Sequence, residues 1–147
     1  MMVCLNPVRP TCLHLMGLLF ACGLAACSPN AAAVVEAEYP KAIVGSWQGQ
    51  VDGENETISF GADGEFQSLV RSGGFISMTL GQGATGTIRG TWAIKGKSIT
   101  LKISSTEDER VSNSVASATI ETLNPNELFV KSDTGVTSTF VRLIQTR

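Results

Sequence analysis

From Ile43 onward the chain alternates apolar and polar residues with a period of two, and glycine-bearing turns interrupt the pattern at short intervals. Successive side chains of an extended strand point to opposite faces, so this pattern restricts the region to half-buried β-structure. Ile58 and Phe60 alternate with Thr57 and Ser59, Ile76, Met78 and Leu80 with Ser77 and Thr79, and Ile99, Leu101 and Ile103 with Thr100, Lys102 and Ser104. Trp47, Gly49 and Val51 share one face of a first strand, and Ile88, Gly90, Trp92 and Ile94 share one face of a later strand. Turn residues fall at Asp52-Gly53-Glu54-Asn55, Ala62-Asp63-Gly64-Glu65, Ser72-Gly73-Gly74, Lys95-Gly96-Lys97, Asn124-Pro125-Asn126 and Asp133-Thr134-Gly135. The Asp63-Gly64 pair predicts a type I′ hairpin, which needs positive φ at both central residues. Residues 111–123 read as one long, bent, weakly apolar strand.

These features predict an all-β domain of eight or nine strands joined by sequential hairpins, a small up-and-down antiparallel barrel. Closure removes the unpaired edges that invite aggregation. A two-sheet sandwich is the competing architecture, but no segment is long enough to serve as a Greek-key crossover.

The first 26 residues follow different rules. A weakly basic start, with Arg9 its one charge, leads into an apolar run from Leu13 to Ala21. A bilayer span needs roughly 20 apolar residues, so the run has the length of a signal-peptide helix. It ends in Leu24-Ala25-Ala26-Cys27, which resembles the lipobox of bacterial lipoproteins. That resemblance implies cleavage between Ala26 and Cys27 and a lipidated Cys27 carrying palmitate-type acyl chains. Membrane attachment follows, and Ser28 in the next position implies an outer-membrane address. An ordinary secretory signal cut at Ala26 would leave Cys27 a free thiol instead. The expected organisation is a signal peptide over 1–26, an anchor and tether over 27–42, and the barrel over 43–147. Within the tether, Ala31 to Glu38 suit two turns of helix, with Pro40 as their stop.

Removal of the signal takes away Cys4, Cys12, Cys22 and the sole histidine, His14. With Cys27 acylated, the mature chain has no disulfide, no zinc ligands of the usual kind and no Ser-His-Asp or Cys-His arrangement. No cofactor, metal site or enzymatic constellation is expected. The acidic runs Asp52/Glu54/Glu56 and Glu107-Asp108-Glu109 match no calcium loop and read as solvated turns. Charges of both signs are interspersed, without a basic block, which argues against nucleic acid as a partner.

Gly45-Ser46-Trp47-Gln48-Gly49 and Gly90-Thr91-Trp92-Ala93-Ile94-Lys95-Gly96 look alike. Together with the intervening Asp-Gly hairpin and the closing Phe140-Val141-Arg142-Leu143, they resemble the lipocalin-like domains of bacterial envelope lipoproteins over roughly residues 42–144. In lipocalins proper a Gly-x-Trp on the first strand packs beneath an Arg from the end of the last. Gly45, Trp47 and Arg142 match those positions, which implies a barrel-closing set. The Thr-Asp-Tyr segment of lipocalins proper has no counterpart. The opening is also similar to that of avidin-type barrels, whose several ligand-caging tryptophans this chain lacks.

Two functions follow from the resemblance. One is the binding of a small apolar ligand, with Phe60, Ile76, Met78, Ile88, Trp92 and Leu101 lining its site, and with the glycine-flanked 75–80 segment as a lid. The other is a solid barrel acting as a structural or interaction module toward another envelope protein, an inhibitor-like role included. Eight strands allow either outcome, because their interior just fills with side chains or holds one small ligand.

Overall fold

In the computed structural model, which describes residues 31–144 except 52 and 82, the alternating region forms eight antiparallel strands. They are β1 (Gly45–Val51), β2 (Glu54–Phe60), β3 (Glu65–Val70), β4 (Gly86–Lys95), β5 (Ser98–Thr106), β6 (Val115–Leu123), β7 (Glu127–Ser132) and β8 (Thr137–Arg142). Each strand pairs with the next, and β1 pairs with β8, so the sheet closes as an up-and-down barrel. The expected signal peptide over 1–26 and the expected cleavage and acylation site at Ala26 and Cys27 lie outside the described residues.

The period-two pattern is the reason for the closure. Inward positions on β3 (Phe66, Ser68, Val70), β7 (Leu128, Val130, Ser132) and β8 (Ser138, Phe140) are buried, while their neighbours are exposed or half-exposed. A one-residue slip would turn each set toward water, so register and core define one another. Gly90 sets the local geometry of the longest strand: a Cβ there would stand 1.9 Å from the Lys102 carbonyl oxygen. The β4–β5 register shifts between Arg89 and Gly90, and only a residue without a side chain permits that close approach at a bulge.

Two of the turns show how sequence chooses hairpin geometry. At 61–65, Gly64 has φ +84° while Asp63 stays at negative φ. The Gly64 N–H bonds the Gly61 carbonyl, the Gly61 N–H bonds the Glu65 carbonyl, and Asp63 Oδ1 accepts from the Glu65 amide. The expected type I′ turn is therefore replaced by a three-residue loop with a left-handed glycine, because Asp63 spends its side chain on an Asx-type bond. At 95–98 the loop is two residues, Gly96-Lys97, with glycine first at φ +62°, as a type II′ hairpin prefers.

Three expectations about elements are corrected. Phe75–Leu80 is a helix, α2, not a strand. It lies between β3 and β4, which pair directly, so the closed barrel leaves no slot for another strand. Gly74 enters it in extended geometry, and Gly81 ends it at φ +67° with its N–H on the Met78 carbonyl, a left-handed C-terminal stop. In the tether, Pro40 opens the helix α1 (Tyr39–Ala42) instead of ending one. Proline lacks an N–H and has a helical φ, which suits a first turn; the two-turn helix over 31–38 shrinks to a 3₁₀ turn at Glu36–Glu38. The long strand of 111–123 begins only at Val115, after a 3₁₀ turn at Glu109–Val111 and a left-handed Asn113. Its bend is the register irregularity between Ile120 and Thr122.

Strand order gives the barrel two ends. The β2–β3, β4–β5 and β6–β7 turns, α1, and the end of β8 lie at one, the floor; the β1–β2, β5–β6 and β7–β8 connections and α2 lie at the other, the mouth. The chain enters along the floor, where the Val34 N–H bonds the Leu123 carbonyl.

Candidate functional site

The floor is sealed by a set of residues far apart in sequence. Trp47 is fully buried, and its indole N–H donates to the Ile43 carbonyl at 2.7 Å. The Arg142 guanidinium lies 4.0 Å from the centre of that ring. Its Nε donates to the Pro125 carbonyl at 2.6 Å, Nη1 to Val44 at 2.8 Å, and Nη2 to Ala42. One side chain thus joins the entry to β1, the β6–β7 turn and the last strand. Gly45 makes room for it: φ is +130°, and a Cβ would sit 2.6 Å from Arg142 Nη1.

The second Gly-x-Trp also serves the floor. Trp92 is half-buried, meets Phe60 edge-on at 5.6 Å, and donates its indole N–H to the Gly61 carbonyl at 3.1 Å. It fastens the β2–β3 turn and is not among the residues that border the cavity under α2.

The mouth is closed by α2. Phe75, Ile76 and Ser77 are buried. Phe75 meets Phe140 of β8 edge-on, with ring centres 6.0 Å apart. Beneath the helix lies an entirely apolar cavity of about 30 Å³, bounded by Phe75, Ile76 and Thr79 above and by Phe60, Leu101 and Phe140 among the wall residues. It exists because the inward residues of β6 there are Ala116 and Ala118, too small to reach the opposite wall. The volume would admit a water or two, but no polar atom is exposed to it, so such a space stays dry.

Of the six residues expected to line a ligand site, Phe60, Ile76 and Leu101 border this cavity and Met78, Ile88 and Trp92 do not. In a helix, residues 75, 76 and 79 share the face toward the barrel, which leaves Met78 half-buried at the rim. Ile88 is fully buried but sits opposite Ser68, away from the small residues of β6.

Glu56 is the residue that the sequence reading placed wrongly. It is 1% exposed, on the inward face of β2, not in a solvated turn. Oε1 accepts from the Ser68 hydroxyl at 3.2 Å, and Oε2 from the Ile76 amide of α2 at 3.3 Å. Burial pushes its pKa up from 4.5 to about 7, against the lowering effect of those hydrogen bonds. The signal was present: Ile58 and Phe60 face inward, so two residues earlier the same parity points Glu56 inward too. Ser138, also buried and inward on β8, has a hydroxyl without a hydrogen-bond partner. Among the described residues, no group of three or more His, Cys, Asp or Glu could hold a metal ion.

No family model and no curated protein matches the chain. Among solved structures, it is similar to a lipocalin-like protein from Bacteroides uniformis, with 21% identity and a TM-score of 0.48, over 69% of this chain and 99% of that one. It is also similar to an uncharacterized protein from Bacteroides eggerthii, with 15% identity and a TM-score of 0.44, over the same shares of the two chains.

Proposed function

We propose that this is a lipid-anchored lipoprotein of the bacterial cell envelope whose barrel takes up a small apolar or amphipathic molecule beneath α2. The observation that carries the reading is a dry apolar cavity under a six-residue helix whose amino end is tied to the wall by one carboxylate. A cavity of about 30 Å³ is far below the several hundred Å³ of a typical ligand site. Uptake therefore requires α2 to move and Phe75 and Ile76 to give up their place. Short helices flanked by glycines are drawn from the low-stability end of a fold, and Gly73-Gly74 and Gly81 flank this one.

The test is saturable binding of the neutral fluorophore N-phenyl-1-naphthylamine, together with native mass spectrometry of the protein purified from its own host. Saturation at one site, lost in Ala118→Phe where the new ring fills the cavity, supports the reading. Fluorophore binding unaffected by Ala118→Phe, with no retained molecule in the native mass, defeats it.

The smallness of the same cavity favours a second reading, a solid barrel that presents its outer wall to another envelope protein. Phe129, Val141 and Leu143 are exposed on or just after β7 and β8. For the anchor, the lipobox-like Leu24-Ala25-Ala26-Cys27 supports acylation. Metabolic labelling with an alkyne fatty acid should tag the wild-type chain and leave Cys27→Ala unlabelled.

A further inference from the structure

The mouth of the barrel holds a group that capping a helix does not explain. Glu56 is the one buried carboxylate among the described residues, and the one ion pair found there, Arg110–Asp108, does not involve it. A serine or glutamine could accept the Ile76 amide without the cost of burying an acid that has no counter-ion. The acid is also poorly served: its hydrogen bonds of 3.2 and 3.3 Å are long beside the roughly 2.7–2.9 Å of a charge-assisted bond. It stands at the edge of the cavity, bonded to Ile76 and two residues along β2 from Ile58, both of which line it. Across β1, where Gly49 contributes no side chain, Glu56 faces the row of Phe140, and Ser138 with its unpartnered hydroxyl lies two residues further toward the mouth.

We propose that the ligand of this barrel is an amphiphile with a protonated amine head, whose apolar body takes the place of Phe75 and Ile76 and whose ammonium is held by Glu56 once α2 has swung away. The proposal rests on the uptake reading given above. Displacing α2 removes the Ile76 amide from Glu56, admits water, and leaves an ionised carboxylate beside an apolar cavity. An ammonium restores the missing charge partner, an alcohol offers one neutral donor, and a carboxylate head meets repulsion. No lysine or arginine of the described residues is buried within the barrel to receive an anion. The mouth connections add to the selection: Glu107, Asp108, Glu109 and Asp133 outnumber Arg71 and Arg110 there, and a rim of one sign concentrates ligands of the other.

The experiment compares dodecylamine, dodecanol and dodecanoate, below their micellar concentrations near neutral pH, as competitors of N-phenyl-1-naphthylamine on the full chain and on Glu56→Gln. Dodecylamine should bind the wild type about tenfold more tightly than dodecanol and more tightly still than dodecanoate, as a charge-assisted bond predicts. In Glu56→Gln the advantage of the amine over the alcohol should vanish while dodecanol binding persists. If dodecanol or dodecanoate binds as well as the amine, the head-group assignment is overturned and the uptake reading stands. If none of the three competes, both fall. The wild-type ranking decides the matter even if Glu56→Gln fails to fold.

Discussion

Arg142 and Glu56 show two ways in which a charged side chain is built into a barrel. Arg142 donates to three backbone carbonyls and covers an indole, so removing it leaves the half-buried carbonyls of Ala42 and Val44 unpaired as well as losing the stacking. Arg142→Ala should therefore destabilise the protein by about 2–4 kcal/mol in urea unfolding. Arg142→Lys should recover little of this, because an ammonium cannot form the same planar fork; full recovery would show that charge alone matters. Glu56 works in the opposite direction. Its folded pKa of about 7 lies above its ordinary 4.5, so between those values the folded state holds a proton that the unfolded chain has released. The stabilisation is complete below the lower value and is lost as pH rises through the upper one, by up to about 3 kcal/mol for a shift of this size. Glu56→Gln should flatten that slope in stability measured from mild acid to mild alkali. An unchanged slope would place the titrating group elsewhere. Gly45, Trp47 and Arg142 could be singled out from sequence because a Gly-x-Trp near the start and an Arg near the end match the order of the lipocalin pattern that the chain resembles. Glu56 was misplaced because it stands within an acidic run whose composition suggested solvent, although strand parity pointed inward.

At the scale of elements, the strands were legible and α2 was not, for one physical reason. A strand of six to ten residues repeats its inside–outside pattern several times, whereas Phe75–Leu80 offers barely two turns of helix. Over six residues, an apolar set at 75, 76, 78 and 80 fits a strand face nearly as well as a helix face. What decides is tertiary: β3 and β4 pair across the gap, and Glu56 supplies an acceptor to the helix amino end. The helix thus depends on its surroundings more than on its own sequence, so its amides should exchange with solvent well before those of β4 and β5 in native-state hydrogen exchange. Gly81 provides a second check. At φ +67° an alanine is strained, and Gly81→Ala should cost about 1 kcal/mol. The lost protection should be confined to residues 75–81. Loss spread over the whole barrel would mean that α2 is part of the cooperative core and not a lid.

For the molecule as a whole, both Gly-x-Trp segments serve the floor, α1 and Arg142 reinforce it, and the chain reaches the barrel there, through the Val34–Leu123 hydrogen bond. The mouth carries the short helix, the buried acid and the cavity. This division has a consequence if Cys27 is acylated. Val34 is the seventh residue after Cys27, and a fully extended chain gains about 3.5 Å per residue, so the floor lies within about 25 Å of the membrane surface, and we expect α2 to open away from it. A ligand would then exchange with the aqueous compartment or with a facing partner, not directly with the anchoring leaflet. No cysteine follows Cys27 in the sequence, so in a chain cleaved at Ala26 single cysteines at exposed sites can carry a fluorophore without ambiguity: Lys97→Cys at the floor and Asp133→Cys at the mouth. In vesicles doped with a head-group quencher, the Lys97→Cys label should be quenched more strongly than the Asp133→Cys label. Both should recover equally when Cys27→Ala releases the protein. Stronger quenching at position 133 would put the mouth against the bilayer and overturn this orientation.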